Sequence, residues 1–182
     1  QGIEDAGGRA KGIPGIEVFT AKRIQGTDPE DGSEVDIGFV GRVTECRLDQ
    51  INDLIAKNIV PVVSPIGRGS RSGSTLNVNA DLAACALGGA IKASKILFLS
   101  DVLGVMENPD DDQSLIASLD RTEVTQRIED GTISGGMIPK VQSALEALDA
   151  GVEKAHLIDG RIPHSVLLET FTEKGIGTEI IC

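Results

Sequence analysis

Three short stretches of this chain carry residue types able to do chemistry. The first is Gly131-Thr132-Ile133-Ser134-Gly135-Gly136-Met137-Ile138-Pro139-Lys140. Its adjacent glycines leave the backbone almost free of steric restriction, so amide N–H groups can turn towards a ligand. Pro139 suits the first turn of a helix, where its missing N–H costs nothing. Ile138, Val141, Leu145 and Leu148 follow at helical spacing, and Gly151 is a natural stop. A loop rich in donors, a helix N-terminus and a lysine in the first turn together attract anions. A connecting loop with a solvated lysine has the same composition, so this stretch taken by itself decides nothing.

The second stretch is Asn77-Val78-Asn79-Ala80-Asp81. Asn79 can cap an alanine-rich helix with Asp81 in its first turn. Asn77 beside them adds a second carboxamide at a strand-to-helix junction, which suits a polar ligand as well as a cap. The third is Leu99-Ser100-Asp101-Val102-Leu103-Gly104. A Ser-Asp pair after a strand binds hydroxyls or phosphates, or it caps a turn. His156 lies inside an apolar run and reads as a packed core residue, while His164 opens a short helix. Neither pairs with a Ser or Cys nucleophile in the sequence, which disfavours a hydrolase triad.

The elements that must hold these residues follow from the apolar pattern. Gln1–Gly15 reads as a loop or frayed edge. Ile16–Ile24 reads as a strand, with Asp36–Val43 pairing back on it across the polar turn Gly26–Glu34. Leu48, Ile51, Leu54 and Ile55 mark an amphipathic helix, and Ile59–Val63 a strand of the fully buried kind. Pro65–Thr75, a Gly/Ser loop with Arg68 and Arg71, breaks in composition from both sides and is expected to be a flexible joint. A helix over 80–93, a buried strand at Ile96–Leu99, a helix opened by an Asp120/Glu123 capping box, a strand near Ala155–Ile158, a helix at Pro163–Phe171 and a strand at Gly177–Ile181 complete the chain. Strands and helices alternate from residue 48, so the class is α/β with a mainly parallel sheet. Ligands then belong beyond the carboxyl ends of the strands, where Ser100-Asp101 and Asp159-Gly160 fall.

Composition removes several functions. The net charge is −11, and there are four Phe, no Tyr and no Trp, which argues against a nucleic-acid partner. Cys46, Cys85 and Cys182 are scattered, so neither a metal site nor a disulfide is expected, and reduced cytoplasmic thiols are the default. No apolar run is long enough to span a bilayer. The chain opens on Gln1 in a stretch that reads as the middle of something, so a fragment or processed chain is expected.

In chain order, Asn77–Asp81, Leu99–Val102 with Gly104, Gly131–Lys140, Asp159-Gly160-Arg161-Ile162-Pro163-His164 and Gly175-Ile176-Gly177-Thr178 form a combination far more specific than any member of it. It closely resembles the N-acetylglutamate kinases of the amino-acid kinase family, over essentially the whole chain and most densely from residue 59 onwards. Gly26–Val35 and the Arg68/Arg71 loop are less typical of that family. The resemblance implies an αβα sandwich with a mainly parallel central sheet, its N-terminal part incomplete here. Residues 1–75 would be the remainder of the amino-acid-substrate lobe and 76–182 the nucleotide lobe.

The implied reaction is ATP-dependent, Mg²⁺-assisted phosphorylation of the side-chain carboxylate of N-acetyl-L-glutamate, a step of arginine biosynthesis. Such a carboxylate is ionised at neutral pH and is already a nucleophile, so no general base is needed. What remains is positioning and charge neutralisation. Lys140 resembles the lysine on the transferring phosphoryl group, and Asp81 the carboxylate that orients the catalytic lysines. Asn77 and Asn79 resemble substrate-binding residues. Ser100, Asp101, Gly104, Gly135, Gly136 and Met137 resemble the nucleotide site. Magnesium would be held by ATP oxygens, with no protein metal cage. In arginine-sensitive members an L-arginine effector sits by the loop before the last strand, here Thr172–Thr178, and Glu169, Glu173, Gly175 and Gly177 resemble that site. The chain by itself is expected to be inactive, because the family's N-terminal lysine and phosphate loops are not in it. The full-length protein is expected to be a homo-oligomer. Two other readings stay open: a kinase for N-acetyl-aminoadipate or aspartate, and a non-catalytic amino-acid-binding regulatory module of the same fold.

Overall fold

Short apolar runs separated by polar turns dominate the first half of the chain, and four of them close on themselves. In the computed structural model, which describes residues 1–182 apart from Ser72, Pro109, Glu173, Lys174 and the side chain of Asp112, the chain forms two units, Gln1–Leu87 and Gly88–Cys182.

The first unit contains α1 (Gly2–Asp5), β1 (Ala10–Ile13), α2 (Gly15–Val18), β2 (Phe19–Arg23), β3 (Gly26–Thr27), β4 (Glu34–Val35), β5 (Val40–Cys46), α3 (Asp49–Ala56), β6 (Val60–Val63), β7 (Ile66–Gly69), β8 (Thr75–Val78) and the start of α4 (Ala80–Ala90). Strands β2, β5, β8 and β7 close into a four-stranded barrel. Its interior is narrow: a Cβ on Gly67 would lie 2.8 Å from the Ala21 Cβ. Phe19, Ala21, Leu76 and Val78 fill it, and Ile51 and Leu54 of α3 join the same apolar cluster.

Four expectations need correction here. The segment over residues 1–15 is not a loop throughout, because it holds α1 and β1. A strand requires only backbone pairing, and β1 takes its partner from β6, in parallel. The strand expected from Ile16 begins at Phe19, since residues 15–18 are helical. Strand β6 exists, but Val60 and Val62 are 47% and 50% exposed. It pairs within a two-stranded sheet, so a wholly apolar sequence does not make it a buried strand. Finally, the Arg68/Arg71 loop is not a joint. It is the turn of the antiparallel β7–β8 hairpin, tied down by Ser70 N–H donating to the Ala21 carbonyl at 2.9 Å. The units part inside α4 instead, after Leu87.

The second unit contains β9 (Lys95–Ser100), β10 (Ser118–Asp120), α5 (Arg121–Glu129), α6 (Met137–Asp149), β11 (Lys154–Asp159), α7 (Ser165–Phe171) and β12 (Thr178–Ile181). The sheet order is β10-β12-β11-β9. Central β11 is buried from Ala155 to Asp159, with α6 and α7 both packed on it. Edge strand β9 is not fully buried, and Leu99 is 58% exposed. Strand β10 is too short to show a period and escaped the sequence pattern. The capping box opening α5 is present in both directions, Glu123 N–H to Asp120 and Asp120 N–H to Glu123, each at 2.8 Å. Parallel pairings join β1–β6, β2–β7, β5–β8, β9–β11 and β10–β12. The α/β, mainly parallel class is therefore as expected.

Candidate active site

Strands β9 and β11 are parallel and end in register, Ser100 opposite Asp159. Gly160 N–H donates to the Ser100 carbonyl at 2.9 Å, which locks the two carboxyl ends together. At that edge the sheet runs out of ladder partners, and polar groups take over.

Lys140 arrives from the first turn of α6. Its ammonium donates to Ser100 Oγ and lies 3.3 Å from Asp101 Oδ1. The lysine side chain is 30% exposed and that of Asp101 80%. Asp101's own backbone N–H, then Lys140 and Ser100, hold its carboxyl below the usual carboxylate range. Asp159 is 4% exposed. It accepts a fork from Arg161, Nη2 to Oδ2 at 2.8 Å and Nε to Oδ1 at 3.0 Å, together with Arg161 N–H at 2.8 Å. The Arg161 bonds outweigh desolvation and hold that carboxyl low as well. The result is a strand-end cluster carrying two cations and two ionised carboxylates.

The glycine loop is anchored from below. Ile133 is 1% exposed, and its N–H donates to the Arg127 carbonyl at 2.7 Å. Gly135 has φ +54, a conformation that favours glycine. Gly136 is the N-cap of α6, with no side-chain cap. The amides of Met137 and Ile138 donate back to the Ser134 and Gly135 carbonyls at 3.1 and 3.4 Å, so the loop offers fewer open donors than its composition implies. Val102, Gly104, Val105, Met106, Thr132, Ser134 and Met137 line a cavity of about 310 Å³. The lining residue Val105 is held by Thr178, whose hydroxyl accepts from Val105 N–H at 2.8 Å and donates to the Ile116 carbonyl at 2.7 Å. A Cβ on Gly104 would meet that hydroxyl at 2.6 Å. Nothing in the sequence around Thr178 marks this role, because its partners lie far along the chain.

The structure thus gathers Ser100, Asp101 and Lys140, and separately Gly104 with Met137, within the second unit. Asn77, Asn79 and Asp81 stand together on the first unit, at the β8–α4 junction. Asn79 caps α4, its Oδ1 accepting from Leu82 N–H at 3.1 Å. Asn77 uses its backbone N–H on the Phe39 carbonyl at 2.7 Å and keeps its side chain exposed.

Near the last strand, Glu173 lies outside the described residues. Glu169 is 8% exposed and fully engaged. His156 Nδ1 lies 2.6 Å from its Oε1, and Ile176 N–H and Gly177 N–H donate to its Oε2 at 2.7 and 3.1 Å. Gly175 has φ +62, and a Cβ there would lie 2.6 Å from the Glu169 carboxylate. Gly177 likewise leaves no room, with Leu157 O at 2.2 Å from an added Cβ. These glycines are required by close packing. His156 is a core residue, as its setting in an apolar run implied, and its Nε2 is buried with no partner among the described residues.

Among the described residues no cluster of His, Cys, Asp and Glu is placed to hold a metal ion, and no helix is long and apolar enough to cross a membrane.

A family model described as the amino acid kinase family matches residues 3–159. The chain is 51% identical over 181 residues to an acetylglutamate kinase of Akkermansia muciniphila, covering 100% of this chain and 61% of that protein. It is 45% identical to an acetylglutamate kinase of Heliobacterium modesticaldum, covering 98% of this chain and 62% of that protein. The chain therefore spans about three-fifths of the length of these curated relatives. Among solved structures it is similar to N-acetylglutamate synthase from Neisseria gonorrhoeae, complexed with coenzyme A and L-arginine. The TM-score is 0.76 with 27% identity, over 93% of this chain and 37% of that one.

Proposed function

This chain belongs to the amino acid kinase family, and from that premise we propose that the complete protein phosphorylates the side-chain carboxylate of N-acetyl-L-glutamate with ATP. The observation that carries the reading is the Lys140 ammonium held on Ser100 and beside Asp101 at the joined ends of β9 and β11. A cation there, next to a cavity with both apolar and hydroxyl walls, suits a nucleotide whose base takes the apolar side and whose phosphates meet the lysine. When bound, ATP supplies the phosphoryl group and its oxygens carry the Mg²⁺. The second unit is then the nucleotide lobe and the first the amino-acid lobe. Lys140 neutralises charge on the transferring phosphoryl group. Ser100 and Asp101 hold that lysine ready, Asp101 as a carboxylate whose ionised form its own backbone N–H and the Lys140 contact favour further. Asn77 and Asn79 are assigned to the acyl amino acid, and Asp81 keeps the orienting role that the resemblance implies.

Trapping the acyl phosphate with hydroxylamine on the full-length protein tests this. Hydroxamate should appear with ATP and N-acetyl-L-glutamate. Turnover of aspartate or N-acetyl-aminoadipate in its place would replace the substrate, and hydroxamate from none of the three would leave a non-catalytic amino-acid-binding module.

L-arginine is proposed as an effector at the segment between α7 and β12, supported by the likeness to a synthase solved with L-arginine. Glu169 is buried and engaged, so its part would be to shape the segment and not to meet the guanidinium. An effector acts only by binding one state better than another. A flat activity curve on titrating the full-length enzyme to millimolar arginine would remove this effector and leave the kinase reading in place.

A further inference from the structure

Two stretches far apart in the chain form the walls of the cavity at the head of α6. One lies between Val102 and Met106, the other between Thr132 and Met137. Neither wall is a strand of the sheet, so the distance between them must be fixed from outside the ladder. The first wall is tied at Val105 to the Thr178 hydroxyl. It then runs into a narrow antiparallel turn. Ile116 N–H donates to the Val105 carbonyl at 2.9 Å, Met106 bridges to Leu115, and Glu107 N–H donates to the Ser114 carbonyl at 3.0 Å.

Both walls meet on one residue of α5. Arg127 Nη1 donates to Glu107 Oε2 and Nη2 to Glu107 Oε1, each at 2.7 Å. The Arg127 carbonyl accepts from Ile133 N–H at 2.7 Å. Glu107 is the neighbour of Met106, and Ile133 stands between Thr132 and Ser134. Each wall is thus held one residue from where it lines the cavity. A two-point fork fixes orientation as well as distance. The same hydrogen bonds from Arg127 hold the Glu107 carboxyl below the usual carboxylate range, so both partners are charged at neutral pH. The glycine loop has a further tie, because Asp130 Oδ1 accepts from Thr132 N–H at 2.9 Å. Loss of the guanidinium would therefore release the wall at Met106 and leave the glycine loop attached.

We propose that Arg127 is a positioning residue for nucleotide binding: clamped to Glu107 by its guanidinium and to Ile133 by its carbonyl, it sets the width of the cavity that receives the base and ribose of ATP. This rests on the reading of that cavity as the nucleotide site. Arg127 does not itself line the cavity, so it acts through the two walls. A wall that must be ordered as the ligand arrives lowers affinity, whereas one already clamped does not. The phosphates belong to Lys140, away from the clamp, so its effect falls on binding and not on the chemical step. Glu107 is 55% exposed, and an ion pair that open adds little to stability.

The test is a double-mutant cycle on the full-length protein, read by calorimetric titration with magnesium ATP in the absence of N-acetyl-L-glutamate, and by steady-state kinetics. Arg127→Met keeps the apolar stem and removes the fork, and Glu107→Ala removes it from the other side. Each should weaken ATP binding by roughly three- to tenfold. The ATP Michaelis constant should rise by a similar factor, with kcat within about twofold of the parent. The double variant should bind no more weakly than the weaker single, because both changes remove one interaction. Arg127→Lys, with a point contact in place of the fork, should fall between parent and Arg127→Met. All should melt close to the parent, which separates the clamp from a folding defect; should Arg127→Met not fold, Glu107→Ala carries the same comparison from an exposed segment. Unchanged ATP affinity in the folded variants overturns the proposal. So do losses that add in the double variant, and so does a lowered kcat at an unchanged Michaelis constant. A parent protein that binds no ATP would remove the nucleotide reading and the clamp together, whereas a parent that binds ATP beside indifferent variants removes the clamp alone.

Discussion

Lys140→Ala in the full-length enzyme should lower kcat by about two to three orders of magnitude, about 3–4 kcal/mol, the size of losing one preorganised donor from a site that works by charge stabilisation. The Michaelis constant for ATP should change much less. An ammonium placed at the transferring phosphoryl group meets more negative charge in the transition state than in the bound substrate, so its loss falls on kcat. The structure adds a control. Lys140 pairs with an Asp101 side chain that is 80% exposed, and a pair that open contributes little to stability. The variant should therefore melt close to the parent temperature while turning over far more slowly. Steady-state kinetics on a folded variant decide it: an intact kcat with a raised ATP Michaelis constant would move Lys140 from catalysis to ground-state binding.

Glu169→Ala should cost about 3–5 kcal/mol of unfolding free energy, because it removes the shared partner of three polar groups, and each one left unsatisfied costs about 1–3 kcal/mol. It strands His156 and leaves the Ile176 and Gly177 amides without their acceptor. For a chain of this size that is a fall in Tm of roughly 6–20 °C. Glu169→Gln keeps one acceptor oxygen for the amides and should lose less. The same carboxylate sets a pH dependence. Burial alone would raise its pKa, but the Ile176 amide, His156 and the Gly177 amide prevail, and the folded value lies below the ordinary 4.5. A depressed folded pKa means the stabilisation is complete above the unfolded value and is lost as pH falls through the folded one. Unfolding free energy in the parent should therefore decline below about pH 4.5, and Glu169→Gln should show a shallower decline. Denaturant melts at neutral and acidic pH check both claims. A Glu169→Ala variant within about 1 kcal/mol of the parent would mean that the pair does not hold this segment.

Local signals in the sequence determined a good deal. The Asp120/Glu123 capping box, the Asn79 cap and the stop at Gly151 rest on bonds or backbone freedom within a few residues, so the residue types suffice to place them. The α6 stripe of Val141 and Leu148 was legible because helical periodicity persists over several turns. The amino-acid kinase motifs were legible because they recur in order. What the sequence left undecided depends on partners distant in the chain. Burial of an apolar strand is set by what covers it: β11 is central and buried, whereas Val60 and Val62 on β6 and Leu99 on edge strand β9 are half exposed despite similar composition. The Arg68/Arg71 loop reads as a joint from its glycines and serines, yet cross-strand pairing makes it a hairpin turn. The acidic residues near the last strand read as a surface for a cation, but Glu169 is turned inward by His156 and two amides that only the folded sheet brings to it. The meeting of Lys140 with Ser100 and Asp101 is likewise a product of tertiary structure. Forty residues of chain separate them, and they meet only because the parallel register of β9 and β11 and the packing of α6 on β11 bring a helix N-terminus to a strand's carboxyl end.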